Sequence, residues 1–385
     1  MKLFHTADWH LGKLVQGVYM TEDQAYILNE FIKAVEEDKP DAVIIAGDLY
    51  DRAVPPTEAV NLLDDVLGHL VLKLNTPVIA IAGNHDSPSR LNFASSIMEA
   101  KGYHVTGQLS EAMEPVILSD EHGEVHFHLV PYADPSQIRQ LTGDDQVRTH
   151  NDAMAKITTL IKENMDPNAR HVFVGHAFVT PHGEAKENTS ESERTLSVGG
   201  AEHVSSEHFQ KFDYTALGHL HQAHFVKHDR VRYAGSPLKY SSSEETHKKG
   251  FFVVELLATG EVTVEKRLLK PRRDLRIIKG ALDDLLEEAS SDDYVFVHLT
   301  DDTPVLSPME KIRSVFPNAL HVQREIATVP HTSLTPASTT ERHQMDHLSL
   351  FKGFYQEVKG RELTGSAEEI FKELLDEFTR EEREQ

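Results

Sequence analysis

The sequence predicts an α/β protein with a parallel sheet, a second sheet and a smaller α/β domain near its C-terminal end. The first hundred residues alternate strand, helix, strand, helix, strand, an order typical of parallel pairing. From residue 124 onward, short strands with turn signals dominate and only one good helix occurs, near 147–164. After Pro271, a compact strand–helix–strand–helix–strand pattern begins.

The elements of the first part follow from the spacing of apolar residues. Residues 22–38 carry apolar side chains at helical intervals. Residues 42–46 and 78–82 are continuous apolar runs, as in buried strands. Pro55-Pro56-Thr57 opens a helix that continues to about Leu74 and is apolar over a wide arc, so two sides are buried. Its outer side is either internal or a contact with a second copy. Residues 124–132 alternate like a half-exposed strand.

Composition divides the rest of the chain. We expect one domain over 1–270, a smaller α/β domain over 271–327, a linker over 328–344 and two amphipathic helices over 345–385. The apolar faces of these helices have no obvious core to cover them, which favours docking on a partner helix. The alternative is packing back on their own domain.

The composition also excludes several classes of site. The 385 residues include no cysteine, so disulfides, thiolate nucleophiles and zinc fingers are excluded. No apolar run reaches the ~18 residues of a membrane helix, and polar residues interrupt the N-terminus at once. We therefore expect a cytoplasmic protein without a signal peptide. The net charge of −23 argues against tight unaided binding to DNA, although divalent cations or a basic partner would offset it.

Five apolar strands end in Gly or Ala followed by residues that can bind a metal ion. In α/β sheets, the loops at the carboxyl ends of strands meet at one edge, so these residues can converge. Seven ligands are too many for one ion and suit two ions that share a carboxylate bridge. The candidate ligands are Asp8, His10, Asp48, Asn84, His176, His219 and His221.

The pattern also suggests individual roles. Asp48 is the only isolated Gly-Asp strand end, so we assign it the bridge. Asp8 and His10, like His219 and His221, are two residues apart, and such residues on an extended segment face the same side. Oxygen and imidazole ligands without thiolate suit Mn²⁺, Fe²⁺ or Zn²⁺. Two such ions can clamp a phosphate and stabilise an in-line displacement.

His85 neighbours Asn84 and should point toward a substrate rather than a metal. It could donate to a phosphoryl oxygen or protonate a leaving alkoxide. Asp86 is expected to orient its imidazole from behind.

The ordered set resembles the signature of the calcineurin-like metallophosphoesterases. More closely, FHTADWHLG, IIAGDLYDRAVPP, IAGNHDSPSRL, VGHAFV and ALGHLHQ are similar to the nuclease subunits of bacterial SbcC–SbcD complexes. The resemblance covers roughly residues 1–270, and the later domain and the helical tail fit the same family. It implies a sandwich of two sheets flanked by helices, with a capping domain.

The resemblance also implies an activity and its partners. It implies a manganese-dependent DNA exonuclease and endonuclease that acts on double-stranded ends and hairpins in DNA repair, recombination and replication, at the nucleoid. It implies a homodimer through the helices near 57–74 and 88–100. The C-terminal helices would bind the coiled-coil base of an SbcC ATPase. One ion would be held by Asp8, His10, Asp48 and His221, and the other by Asp48, Asn84, His176 and His219, with His85 catalytic.

The sequence departs from some relatives after the bridging aspartate. Archaeal and eukaryotic relatives have a second histidine there, whereas this chain has Leu49-Tyr50-Asp51-Arg52. Asp51 or Arg52 is expected to substitute, and the bacterial branch often carries an aspartate there. The expected local contacts to DNA phosphates are Lys13, Arg52, Arg90 and Arg194.

Two other functions remain open at this point. A phosphatase or small phosphodiesterase could use the same metal core, although it would need neither the extra domain nor the tail. A structural clamp could bridge DNA ends without cleavage, although a scaffold would be free to lose the ligands and His85.

Overall fold

We describe the protein from a computed structural model, which describes residues 1–182, 202–325, 347–359 and 363–384. Within the last two segments, side chains are described as far as Tyr355 and Leu375. The predicted linker 328–344 lies outside the described residues. The described strands are β1 Lys2–Thr6, β2 Leu14–Val15, β3 Val18–Tyr19, β4 Ala42–Ile45, β5 Val78–Ile81, β6 Tyr103–Thr106, β7 Val116–Asp120, β8 Gly123–Val130, β9 Arg170–His176, β10 Phe178–Thr180, β11 His203–Ser205, β12 Tyr214–Gly218, β13 His224–Val226, β14 His228–Tyr233, β15 Gly250–Leu256, β16 Val262–Leu268, β17 Leu275–Gly280, β18 Tyr294–Leu299 and β19 Ala319–Arg324.

Ten α-helices lie in the described segments, and α2 continues as a π-helix over Gly68–Lys73. None of them is long and apolar enough to cross a membrane. The helices are α1 Thr21–Asp38, α2 Thr57–Leu67, α3 Pro88–Leu91, α4 Ser95–Glu99, α5 Pro135–Thr142, α6 His150–Glu163, α7 Leu282–Leu286, α8 Pro308–Arg313, α9 His347–Lys359 and α10 Gly365–Glu384.

Two six-stranded sheets form the larger of two compact units, which spans Met1–Ile277, Ser291–Phe296 and Asn318–Leu320. The first sheet has the order β16-β15-β1-β4-β5-β6, and the second has the order β13-β14-β12-β9-β8-β7. The inner strands β1, β4, β5 and β6 are parallel, as are β8, β9, β12 and β14. The two-sheet architecture expected from the resemblance is confirmed.

A shared core joins the faces of the two sheets. It contains fully buried side chains such as Ile44 and Ile79 from the first sheet and Phe127 and Val172 from the second. Helices cover the outer faces. The α1 side chains Ile27 and Phe31 pack over the first sheet, and Ile157 and Ile161 of α6 pack over the second. Each sheet is thereby buried on both faces, which suits parallel strands.

This burial corrects the expectation for residues 124–132. The alternation predicted a half-exposed strand, but β8 is buried from Val125 to its end. Phe127 faces the other sheet, whereas His128 faces the opposite way and its ring lies 5.6 Å from that of Phe212. The polar positions are therefore covered histidines rather than a solvent-facing row.

The smaller unit comprises residues 278–290, 297–317 and 321–385. Strands β17, β18 and β19 form a three-stranded sheet in that order, and α7 contacts α8. This order of elements matches the one read from the sequence, whereas the domain boundaries stay a prediction. In the tail, α9 contacts α10, and the rings of Phe351 and Phe371 stack at 4.0 Å.

Gly218 provides a test of how tightly the sheets approach each other. A Cβ atom here would overlap the carbonyl oxygen of Ala46 and approach Nδ1 of His176 to 2.9 Å. Strand β12 lies mid-sheet and cannot shift freely. Gly218→Ala should lower the free energy of unfolding by about 1–3 kcal/mol, as overpacking does, in a denaturant titration.

Gly68→Ala is the matched control. Its Cβ would meet nothing within 4 Å, and its backbone is already helical, so stability should not fall. Equal losses in both variants would contradict the close approach.

Candidate metal centre

The seven candidate ligands converge where the strands of both sheets end. Asp8 and His10 follow β1, Asp48 follows β4, Asn84 follows β5, His176 closes β9, and His219 and His221 follow β12. Backbone bonds join the loops: Asp8 N donates to Gly47 O at 3.0 Å, and His10 N donates to Asp48 O at 2.9 Å. All these ligands except half-buried Asn84 are at most 4% exposed.

Four of the seven adopt positive φ, which L-residues rarely do. The angles are 53° at Asp8, 47° at His10, 51° at Asp48 and 104° at His219. The expectation that paired ligands face one side of an extended segment is therefore wrong. They converge through tight left-handed turns, and each such residue costs on the order of 1–3 kcal/mol. Strain of this kind clusters at functional sites.

Asp48 lies between the two expected halves of the site. Its Oδ2 is 3.6 Å from His10 Nε2 and 3.4 Å from His176 Nε2. His10 Nε2 is also 3.0 Å from His221 Nε2, and His176 Nε2 is 3.0 Å from Asn84 Oδ1. One carboxylate oxygen is thus close to imidazoles of both expected ion positions. This geometry suits a bridge, and the role itself stays a prediction.

The donor set fits divalent cations. Potential ligand atoms of Asp8, His10 and His221 lie within 4.8 Å of one another, as do those of Asp8, Asp48 and His176. Oδ2 of Asp8 is buried without a hydrogen-bond partner, which is costly for a carboxylate oxygen unless a cation contacts it. Buried oxygen and imidazole donors that converge in this way are typical of a metal centre.

Burial controls the protonation of these groups. Burial raises the pKa of Asp8 to about 7 and lowers those of His10 and His219 well below their usual range. Burial opposes the charged form of Asp48 too, but the charges of His176 and His10 outweigh it and hold its pKa well below the usual range. His10 and His219 are therefore neutral, the form that binds a metal.

Contacts behind two histidines select the nitrogen that faces the site. His176 Nδ1 lies 2.9 Å from Ala46 O, and His221 Nδ1 lies 3.1 Å from Glu244 Oε1. Because a carbonyl or carboxylate oxygen accepts, each Nδ1 carries the proton. Each Nε2 then presents its lone pair to the centre, an arrangement common behind metal ligands.

Sequence reasoning missed Glu244 and Lys249. Glu244 is fully buried and pairs with Lys249, whose Nζ also donates to His221 O at 2.9 Å and to Ser236 Oγ at 2.8 Å. Both lie in a polar stretch, SSSEETHKK, that reads as an ordinary surface turn. No local pattern indicates that this turn folds behind His221.

Gln24 and Tyr240 were missed as well. Gln24 Nε2 donates to His10 O at 2.7 Å, and the Tyr240 hydroxyl donates to Trp9 O. They hold the loop between Asp8 and His10 from helix α1 and from the segment after β14.

His85 lies at the rim of the centre. It is half-buried, its backbone N–H donates to Asp48 Oδ1 at 2.9 Å, and its Nδ1 lies 2.8 Å from the carbonyl oxygen of Asp51. The expectation that Asp86 orients this ring is wrong. The Asp86 carboxylate accepts from the backbone N–H groups of Leu49, Tyr50 and Gly83, so it fixes the loops on either side.

The expected phosphate contacts differ in availability. Nζ of Lys13 is paired with Asp51 Oδ1 at 2.8 Å, and both side chains are 13% exposed. Arg52 is half exposed, and Arg90 is exposed on α3. Arg194 lies outside the described residues. Asp51 therefore acts twice, through its carbonyl on His85 and through its carboxylate on Lys13.

The Glu244–Lys249 pair can be tested by removing both charges at once. Glu244→Gln combined with Lys249→Met leaves no unpaired buried charge but removes the carboxylate behind His221. Mn²⁺ affinity in calorimetric titration should fall about 10–100-fold at one of two positions. Glu245→Gln, a change at the neighbouring carboxylate, should leave both positions intact. An unchanged double variant would refute the role.

Comparison with known proteins agrees with this geometry. The family model of calcineurin-like phosphoesterases matches residues 1–223, and that of the type 5 capsule protein repressor C-terminal domain matches residues 271–359. The chain is 34% identical to the SbcD subunit of the nuclease SbcCD of Staphylococcus saprophyticus, over 98% of this chain and 99% of that protein.

Two solved structures are similar at low identity. A Thermus thermophilus protein is 9% identical with a TM-score of 0.39, over 69% of this chain and 98% of its own. A dimetal phosphatase from Danio rerio is 11% identical with a TM-score of 0.42, over 70% of this chain and 96% of its own. On the family models and the near full-length relative, the chain belongs to the calcineurin-like phosphoesterases and, within them, to the family of SbcD subunits of SbcCD nucleases.

Proposed function

We propose that this protein is a metal-dependent DNA nuclease that works with an SbcC ATPase. The observation that carries the proposal is the buried cluster of seven ligands with His85 at its rim, in a chain similar along its whole length to an SbcD subunit of the nuclease SbcCD. It would act as an exonuclease on double-stranded ends and as an endonuclease on single strands and hairpins. Its place of action would be the cytoplasm, on chromosomal DNA in repair and recombination.

Two divalent cations, for which we propose Mn²⁺, would be held in two sets that share Asp48. The first set is Asp8, His10, Asp48 and His221; the second is Asp48, Asn84, His176 and His219. When bound, such ions neutralise phosphate charge and lower the pKa of a water. Asn84 contributes a neutral amide oxygen, which keeps the centre positive enough to attract a phosphodiester.

His85 is the residue we propose to act on the substrate. With Nδ1 held by the carbonyl of Asp51, its ring is fixed and presents Nε2 on the other side. A protonated imidazole there can donate to a phosphoryl oxygen or hand its proton to the leaving oxygen. The backbone bond to Asp48 ties the ring position to that of the proposed bridge, so the two move together.

Exposed apolar side chains support the proposed homodimer. Phe93 is 79% exposed, Ile97 is 73% exposed and Leu72 is 68% exposed, all on the segments expected at the dimer contact. The buried side of the same helix includes Leu63 and Val66, so its outer side is free for a second copy.

The tail is the proposed docking element for SbcC. Contact between α9 and α10 covers Phe351 and Phe371 against each other. Leu350, Phe354, Ile370 and Leu374 remain 37–61% exposed. Such a face suits the groove or ridge of a partner helix. We propose the coiled-coil base of SbcC as that partner, with 345–385 as the docking segment after the 328–344 linker.

The nuclease proposal is tested with purified protein, Mn²⁺, linear DNA and hairpin DNA. Wild type should cleave, and His85→Ala should bind two Mn²⁺ but cleave at least about 100-fold more slowly, the range of a lost general acid. His122→Ala, a change at an exposed histidine, is the matched control and should cleave normally.

Loss of Mn²⁺ from His85→Ala would make His85 a ligand instead. Hydrolysis of a chromogenic phosphodiester without any DNA cleavage, in the presence of SbcC, would favour a small phosphodiesterase. Co-purification with SbcC without hydrolysis of either would favour a clamp.

Truncation after Thr340 tests the docking element. The shortened chain should lose binding to SbcC in a pull-down while keeping its cooperative unfolding and Mn²⁺ binding, because both sheets lie before residue 270. Leu374→Asp in the full chain should weaken the same binding, since it places a charge on the exposed apolar face. A truncated chain that still binds SbcC tightly would contradict this role.

A further inference from the structure

A cavity of about 340 Å³ lies in the larger unit, separate from the candidate ligands. Its walls include the apolar side chains of Leu238, Leu268, Leu269 and Tyr294. This volume lies within the range of pockets that hold small molecules, which are mostly apolar with a few placed polar groups. Nothing in the proposed nuclease chemistry uses it.

Four cations line the same cavity, and three of them are neutralised locally. Lys239 pairs with Asp274 at 2.8 Å, and Arg273 pairs with Asp23 at 2.9 Å. Lys249 pairs with Glu244 behind His221. The acidic lining residue Glu245 accepts from the backbone of Ile277 at 2.8 Å. Lys248, the fourth cation, is exposed and forms no ion pair with the described part of the chain.

Lys266 adds a second unpaired charge at this place. It is half-buried on β16, two residues before Leu268, so both side chains point to the same side of the strand. Burial, together with the charges of Lys249 and Lys248, lowers its pKa to about 8. It forms no ion pair within the described segments. Three lysines therefore crowd together where an acid would normally separate them.

The surrounding sequence strengthens this imbalance. Leu269 N donates to Lys249 O at 3.1 Å, so the segments HKK and KRLLKPRR run side by side. The chain as a whole has 62 acidic residues against 39 Lys and Arg. An unpaired basic group is thus the exception on this protein, and a bound anion would relieve its repulsion.

We propose that this cavity binds a small phosphate-bearing molecule with an apolar body, of the class of nucleoside monophosphates. Lys248 and Lys266 are the countercharges of the phosphate. Leu268, Leu269 and Tyr294 cover the apolar body. A bare phosphate would leave most of the cavity empty, since one water takes roughly 30 Å³ and a phosphate ion is only a few times larger.

The test uses the full-length chain in EDTA, which keeps phosphate away from metal ions at the ligand cluster. Deoxyadenosine monophosphate is titrated calorimetrically beside inorganic phosphate and deoxyadenosine. We expect the nucleotide to bind about tenfold more tightly than either, because only it has both parts. No binding of the nucleotide, or equal binding of deoxyadenosine or of phosphate, would overturn the proposal.

Charge reversal locates the site. Lys248→Glu and Lys266→Glu should each weaken nucleotide binding about tenfold or more, since each turns an attraction into a repulsion. Lys211→Glu, a reversal of an exposed lysine outside the cavity, is the matched control and should bind normally. Cooperative unfolding of each variant is checked in parallel. Wild-type affinity in both cavity variants would place the nucleotide elsewhere and refute the site.

Discussion

The centre depends on the closeness with which the two sheets approach at the carboxyl ends of their strands. A Cβ at Gly218 would overlap Ala46 O, one at Gly47 would overlap the His176 ring, and one at Gly83 would overlap Asp48. Only glycine leaves room for backbone and ligand to meet there. The same approach lets His176, from the second sheet, contact Ala46 and Asp48, from the first. Ligands from both sheets can therefore share one cluster.

This arrangement opposes stability, and backbone hydrogen bonds hold it in place. Buried carboxylates and left-handed backbone each raise the free energy of the folded chain. Asp86 counters this cost by accepting three N–H groups from the loops that carry Asp48 and Asn84. Gln24 and Glu244 fix the other side through His10 and His221. A rigid second layer of this kind lets a cluster of like groups persist before any cation binds.

Much of this was readable in the sequence because it depends on short periods. Apolar runs ending in glycine predicted the strands, their parallel order and the convergence of the seven candidate ligands. The contacts of Asp86 and the burial of β8 were not readable, because they depend on which loops and layers meet in space. Glu244 and Lys249 were missed for the same reason: they lie 23 and 28 residues from His221, in a turn without a distinctive pattern.

The charge distribution places limits on how such a protein can hold DNA. Lys13 is engaged by Asp51, so Arg52 and Arg90 are the expected phosphate contacts that remain exposed among the described residues. Two exposed arginines release few counterions and supply little affinity at physiological salt. On a surface of net charge −23, most attraction for a phosphodiester must then come from cations at the ligand cluster or from a partner. A division of labour follows, in which this chain contributes the reacting groups and another subunit contributes the grip.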